Sequence, residues 1–277
     1  MNTFMLIIIA AAGVKSLLMP ASPVGVTTSF AMASREEAIF YNPSNFEAGD
    51  NYTVQCSYNR FYLGMQSVSL SLSKKFKEVH FGLGIVNFDY GEIEYRPDYP
   101  TEDPLINYRA YDFSLILGAS VDVSSQGRIG INLKYVTENI YIYSDYALAM
   151  DIAFAYRSAT SGITFGATNF GTKMMINNGE VNLPACLNVG GFQQVNKLTL
   201  SGDLRYLIND AAFEFGIGAS MPVHQRLTLS AAANYRDEFY PGFGLSIAVG
   251  ALEVKYGGSF YPKNLGMVNN IALKIGL

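Results

Sequence analysis

The sequence predicts a transmembrane antiparallel β-barrel of about 14 strands with a short N-terminal helical plug. Three observations lead to this all-β fold class. Apolar residues alternate with small or polar ones from Asn51 to the last position. Charged residues make up only 15% of the chain, and an apolar segment at its start has the length of an export signal. Since no apolar run of about 18 residues follows that segment, the sequence excludes transmembrane helices.

Residues 1–21 are predicted to be a signal peptide. The run from Phe4 to Gly13 is an apolar core of suitable length, and small residues around Ala11 and Ala21 offer cleavage sites. The first positive side chain, Lys15, follows this core instead of preceding it. A buried N-terminal strand or a misassigned start codon therefore stays open as an alternative.

Residues 22–50 are predicted to form a plug in the barrel lumen. Ser34 and Glu37 have the spacing of a capping box at the start of a helix, and Asn42-Pro43 ends it because the residue before proline avoids helical geometry. Two turns of helix are too short to be stable alone, so this helix needs a packing surface. A frayed periplasmic arm is the alternative. The candidate plug and turn residues are Ser34, Glu37, Phe40, Tyr41, Asn42 and Pro43.

The barrel is predicted over residues 51–277. Alternation alone also fits a soluble β-sandwich, which packs one face of each sheet on the core. Strands of about ten residues or more, with Ser, Gly, Ala and Thr on the inner face, favour the barrel. The predicted strands are 51–63, 66–76, 79–89, 107–122, 127–142, 145–157, 161–170, 180–194, 197–207, 211–221, 225–236, 241–249, 251–260 and 266–277.

The lengths of the connections agree with this strand count. If both barrel termini are periplasmic, the even-numbered connections are periplasmic and should be short. They are short, whereas the longest connection, Gly91 to Ile106, falls on the external side, as does Gly171 to Gly179.

The predicted inner face carries charges of both signs but no enzymatic motif. We expect these charges to pair across the lumen or to hold the plug; they include Asp112, Asp151, Asp203, Arg205, Glu214 and Arg236. The histidines, His80 and His224, fall on separate predicted turns, too far apart to serve one catalytic site. No metal or nucleotide motif is present, so we expect no cofactor and no enzymatic activity.

The remaining composition argues against other partners and cross-links. A net charge of -4 without basic clusters gives no reason to expect nucleic acid as a partner. Cys56 and Cys186 fall on opposite faces of their predicted strands, which argues against a disulfide between them.

Three stretches resemble the FadL-like superfamily of barrels, and within it the PorV/PorQ family associated with type IX secretion. They are Phe30–Ala33 with Ala38–Pro43, Gly166–Gly171 at a strand end, and Leu183–Gly190 at the next strand start. Ser44-Asn45 departs from the Ala-Gly usual after Asn-Pro in that family. The resemblance implies a plugged barrel of about 14 strands.

The third predicted strand changes phase where FadL-like barrels have a kink that opens the wall sideways. Phe81 and Ile85 are apolar on one face, but Val86 and Phe88 are apolar on the other. A β-bulge near Ile85-Val86 would restore the alternation, which makes Ile85, Val86 and Phe88 candidates for a lateral opening. Alternatively, Val86 and Phe88 face the lumen and pack on the plug.

Two classes of function follow for a protein of the outer membrane of a Gram-negative-type cell. The first, which the resemblance favours, is a PorV/PorQ-type barrel that takes part in type IX protein secretion by binding secreted cargo domains or secretion-system subunits. The second is a FadL-type transporter of hydrophobic small molecules. A purely structural barrel is a third, weaker interpretation. In each case outer-membrane lipid surrounds the barrel.

Overall fold

A computed structural model of the chain describes residues 14–26, 28–33, 35–96, 99, 102–236, 238–263 and 265–277. Its main element is a closed antiparallel barrel of 14 strands, which confirms the predicted fold class. The barrel strands are β1 (Thr53–Arg60), β2 (Gln66–Phe76), β3 (Val79–Tyr95), β4 (Ile106–Asp122), β5 (Gly127–Ile140), β6 (Tyr143–Arg157), β7 (Ser161–Gly171), β10 (Cys186–Val195), β11 (Leu198–Leu207), β12 (Ala212–His224), β13 (Leu227–Arg236), β14 (Glu238–Val249), β15 (Leu252–Tyr261) and β16 (Gly266–Gly276).

Alternation along each strand separates an apolar outer face from a small and polar inner face. On β2, Ser69 and Ser71 are buried inside the barrel, whereas Val68 and Leu70 are exposed outside it. An exposed apolar outer face is stable only against lipid, and barrel closure leaves no unpaired strand edge there. The two cysteines follow the same rule, since Cys56 is exposed and Cys186 is buried.

The two ends of the barrel differ in their connections. β1 closes on β16 with Thr53 opposite Gly276, so both barrel termini lie at one end. The turns at that end are short, as between Phe76 and Val79 and between Val249 and Leu252. Longer connections lie at the other end, including the one between Tyr95 and Ile106. By this asymmetry the end with the termini is periplasmic and the other end is external.

An additional small hairpin covers part of the external end. It consists of β8 (Met174–Ile176) and β9 (Gly179–Val181), paired antiparallel, and we call it the cap hairpin. The sequence-based strand 180–194 was wrong at its start, because residues 179–181 belong to this hairpin and β10 begins at Cys186.

Of the two alternatives for β3, the bulge near Ile85-Val86 was wrong, and the inward orientation of Val86 and Phe88 is confirmed. β3 pairs in unbroken register with β2 and with β4 from Val79 to Asp89. Val86 and Phe88 are buried in the lumen, and the Phe88 ring lies 5.3 Å from that of Phe61, centroid to centroid. The apolar pattern in the sequence changes phase because the inward residues are apolar here, while the strand itself keeps its alternation. The register shifts further along, between Asp89 and Glu92.

The N-terminal residues form short helical turns inside the barrel. They are α1 (Ser29–Met32), α2 (Ala38–Tyr41) and 3-10 turns at Lys15–Leu17, Pro23–Val26, Arg35–Glu37 and Pro43–Asn45. We call residues 14–21 the leader tail and keep the name plug for residues 22–50. No helix of the described residues is long and apolar enough to cross a membrane.

Candidate functional site in the barrel lumen

Backbone groups of the plug bond to inward side chains on several strands. The carboxylate of Asp203 on β11 accepts from the Phe30 and Ala31 amides at 2.8 and 2.7 Å. On the other side of the lumen, the Asn132 amide donates to the Ile39 carbonyl at 2.9 Å. Short-range helical structure alone would not hold these turns, so the barrel wall supplies their partners.

Two adjacent carboxylates of the plug pair with lysines of β15 and β16. Glu36 lies 3.2 Å from Lys274 Nζ, and Glu37 lies 2.9 Å from Lys255 Nζ. Gln55 also donates to Glu37 at 3.2 Å. These described partners of Glu37 lie in the barrel wall, which gives this residue a role that a capping box does not predict. Ser34, its predicted capping partner, lies outside the described residues.

The Asn42-Pro43 turn ends α2 as the sequence predicts. Asn42 has extended backbone geometry (φ -147°, ψ 98°). Its Oδ1 accepts from the Ser44 amide at 3.1 Å, and its Nδ2 donates to the Phe30 carbonyl at 2.8 Å. One buried side chain therefore starts the turn and ties it to α1.

The two aromatic residues of α2 pack on the same buried cluster but make different further contacts. Phe40 packs with Ile39 and Phe46 near Ile116 of the wall. The Tyr41 hydroxyl accepts from the amides of Ala21 and Ser22, both at 2.9 Å. Tyr41 thus connects the plug to the leader tail.

The candidate lumen charges divide into two groups. Glu214 pairs with Arg205 at 3.3 Å and with Arg236 at 3.0 Å, and Asp151 pairs with Lys134 at 2.7 Å. The other two bond to backbone amides of the N-terminal segment: Asp203, as described above, and Asp112, which accepts from Ser16 at 3.1 Å.

Two of the stretches that carry the family resemblance meet beside the Lys134–Asp151 pair. Asn169 has a left-handed backbone (φ 61°), where the register of β6 and β7 shifts opposite Asp151. Its side chain accepts from Lys134 Nζ at 2.7 Å and donates to the Pro184 carbonyl at 3.2 Å. The stretches around Asn169 and Pro184 therefore build one polar junction that positions the cap hairpin.

A buried apolar cluster lies under the cap hairpin at the external end. We call the region that its wall residues surround the apolar chamber. Inward residues of β4, β5 and β6 form one side. The cap hairpin, together with Leu183, forms the other. The chamber is lined by Ala110, Val136, Ile140, Ala147, Ala149, Met174, Ile176, Val181 and Leu183. Val14 of the leader tail is fully buried in it, and Leu17 packs against it.

Sequence reasoning missed this chamber, although the pattern held a signal for it. The inner phase of β5 carries the apolar residues Val136 and Ile140, on either side of the buried Glu138, near the external end. The cap hairpin had a signal too, because Asn177 and Asn178 both have positive φ and Asn is favoured in such two-residue hairpin turns.

The histidines differ in their surroundings. The expectation of a solvated turn was wrong for His80, which is buried on β3 with Nδ1 3.1 Å from the Ala48 amide nitrogen. His224 is exposed at the end of β12. In the described part of the chain, no group of three or more His, Cys, Asp or Glu is placed to hold a metal ion.

Comparisons with known proteins identify the fold. No model of a known protein family matches the sequence. A search of curated protein sequences also found no match. Among solved structures, the chain is similar to the toluene transporter TbuX of Ralstonia pickettii, with a TM-score of 0.71 and 13% identity over 94% of this chain and 99% of that one.

Two further solved structures are similar to the chain in fold. The toluene transporter TodX of P. putida gives a TM-score of 0.66 at 13% identity over 94% of this chain and 97% of that one. A Pseudomonas aeruginosa FadL homologue gives 0.62 at 10% identity over 92% of this chain and 98% of that one. At such identities the likeness shows the fold, which is that of FadL-like barrels. TbuX and TodX are transporters by name, which fits the expectation of a non-enzyme.

The fold and the outer surface together fix the location of the protein. A closed barrel of this type with exposed Leu, Ile, Val and Phe on its outer face is stable only in a membrane. The chain is therefore an outer-membrane β-barrel of a Gram-negative-type cell, and lipid surrounds it.

Proposed function

We propose that this barrel is a FadL-type transporter of hydrophobic small molecules, and the observation that carries the proposal is the apolar chamber. Val14 is wholly buried there, and Leu17 packs beside it. Both lie in the predicted signal peptide. Its removal on export would leave an apolar space at the external end, bounded by a hairpin and the barrel wall. Sites for small hydrophobic molecules are typically concave and mostly apolar.

The similar structures support the same proposal. Two of them, TbuX and TodX, are named as toluene transporters. A hydrophobic compound binds favourably to a chamber of this kind because burial removes its apolar surface from water.

The test is uptake by vesicles that contain the protein recovered from outer membranes. N-terminal sequencing first establishes whether the recovered chain begins after Leu17. We expect uptake of a small aromatic hydrocarbon or a medium-chain fatty acid, and we expect Ala147→Phe to abolish most of it because the new ring fills the chamber. Leu148→Phe is the matched control, since Leu148 faces outward on the same strand.

Equal uptake by both variants, or uptake no faster than in vesicles without protein, would contradict the proposal. A chain recovered with Val14 and Leu17 still attached would contradict the removal step.

The PorV/PorQ-type role in secretion rests on the sequence resemblance, and the fold comparisons lend it no support. We therefore rank it second. Capture of secreted cargo domains or secretion-system subunits by the tagged barrel from outer membranes, combined with absent uptake, would reverse this order.

A further inference from the structure

Three cavities beside the plug lie on the side of the lumen opposite the apolar chamber, whereas a smaller one of about 30 Å³ lies on the side of Val86 and Ile116. An upper cavity of about 320 Å³ lies at the external end between Arg236 and Tyr261. A lower cavity of about 240 Å³ lies near the periplasmic turns, against β11 to β15. A smaller one of about 70 Å³ lies between them. On the β3–β5 side, by contrast, Ile39 and Phe46 pack on the wall at Ile116.

These three cavities follow one another along the same strands. The upper and middle cavities share Arg205, Glu214 and Tyr240 in their walls. The middle cavity reaches Gly216 of β12, and the lower cavity begins at Gly218 of the same strand. The middle and lower cavities therefore lie at successive inward positions of β12.

One contact between the plug and the wall separates the middle and lower cavities. Thr28 Oγ1 lies 2.5 Å from Ser201 Oγ. A Cβ placed on Gly218 would lie 3.1 Å from each of these two hydroxyl oxygens. The constriction is thus formed by small groups that meet without a bulky or apolar side chain between them.

The chemistry of the wall differs from that of the apolar chamber. Apolar side chains of the plug, Pro23, Val24 and Met32, line part of the lower cavity, and hydroxyl groups line the rest of it at Thr28, Ser201, Ser220, Thr228, Ser230 and Ser246. Such groups need hydrogen-bond partners, which water and hydrophilic solutes supply and hydrocarbons do not. Charges of both signs, Glu37, Glu253 and Lys255, also line it.

We propose that the β11–β15 side of the lumen is a hydrophilic passage for water, ions and small polar solutes, separate from the apolar chamber and narrowed at Thr28 and Ser201. The passage runs beside the plug and does not require the plug to leave the barrel. It is a second activity of the barrel, independent of transport of hydrophobic molecules.

The test is ion conductance, in a planar bilayer, of the protein recovered from outer membranes. We expect Ser230→Phe to remove most of the conductance, because the ring fills the lower cavity. Ala233→Phe is the matched control and should conduct like the parent, since Ala233 lies on the outward face of β13 opposite Ile217. The pair of changes Thr28→Ala and Ser201→Ala should raise the conductance by widening the constriction.

A second measurement does not depend on a bulky substitution. In a Cys56→Ser background, which removes the exposed native thiol, Ser230→Cys should react with a charged thiol reagent and lose conductance as it does. Conductance that is unchanged by Ser230→Phe and by labelling of Ser230→Cys would overturn the proposal. So would a Thr28→Ala/Ser201→Ala barrel that conducts no better than the parent.

Discussion

At the scale of single residues, the lumen contains a fully buried ion pair. The side chains of Lys134 and Asp151 are 3% and 1% exposed, with Nζ and Oδ2 2.7 Å apart. Asp151 also accepts from the Asn169 amide at 2.7 Å. The pair is compensated on both sides, which a buried charge needs because it has lost its water.

Removal of one partner should therefore cost far more than removal of both. We expect Asp151→Leu to lower the free energy of unfolding by about 3–5 kcal/mol, since it leaves the lysine charge buried without compensation. The double change Lys134→Met/Asp151→Leu should recover part of that loss. Urea unfolding in lipid vesicles, followed by the gel mobility of unboiled samples, measures both.

The exposed pair Lys173–Glu180, with side chains 56% and 58% exposed, is the control. Lys173→Met should change the unfolding free energy by about 1 kcal/mol or less. If Asp151→Leu lowered the free energy of unfolding no more than this control does, the buried Lys134 charge would not depend on Asp151 for its compensation.

Single residues also show what the sequence could not predict. Alternation assigned Asp112, Asp203 and Glu214 to the inner face, where the structure has them. It could not predict their partners, because Asp112 and Asp203 bond to backbone amides of a segment far away in sequence. Pairing across a lumen depends on where the plug lies, and strand periodicity carries no information about that.

At the scale of elements, the plug is held at its lower side by two ion pairs. We expect Glu36→Gln/Glu37→Gln to weaken plug docking by at least the about 1.5–3 kcal/mol of the charged hydrogen bond from Lys255 to Glu37, while the barrel itself stays folded. Hydrogen exchange of the α2 amides should accelerate, and exchange of the strand amides should not.

Glu47→Gln is the control within the plug region, because Glu47 is 56% exposed and lies 3.7 Å from Arg128. Equal exchange rates of α2 in the double variant and in this control would show that the ion pairs do not hold the plug.

The third strand offers a direct check on its register. Single cysteines at Ile85, Asn87 and Asp89 should react with a lipid-soluble maleimide, whereas cysteines at Val86 and Phe88 should not. The reason is that β3 alternates without interruption through these positions. Labelling at Val86 or Phe88 would mean that the register shifts before Asp89 after all.

The elements also show how far local patterns reach. Strand bounds such as 66–76 and 161–170 follow from alternation, because a barrel strand buries one face and exposes the other. Alternation left two interpretations of Val86 and Phe88 open, and the packing of Phe88 on Phe61 and Tyr90 decides for the inward one. The cap hairpin has three residues in each strand, which is too few for a periodic signal.

At the scale of the whole molecule, the lumen has two chemically different sides. Apolar residues gather under the cap hairpin, on strands β4 to β6. Small and hydroxyl-bearing residues face the cavities along β11 to β15. The plug lies between these sides and bonds to both, so one barrel can hold a site for hydrophobic molecules and a hydrophilic passage without mixing them.

The absence of tryptophan from the sequence allows one measurement to test the central claim, that the chamber binds hydrophobic molecules in the exported protein. Tyr143 packs at the edge of the chamber, and Tyr240 lines the upper cavity on the other side. Each is replaced by tryptophan in turn, and fluorescence is titrated with 4-bromotoluene, which quenches tryptophan on contact.

If the chamber binds hydrophobic molecules, we expect saturable quenching of the Tyr143→Trp protein and no saturable quenching of the Tyr240→Trp protein. Equal quenching of the two proteins, or none in the Tyr143→Trp protein, would contradict it.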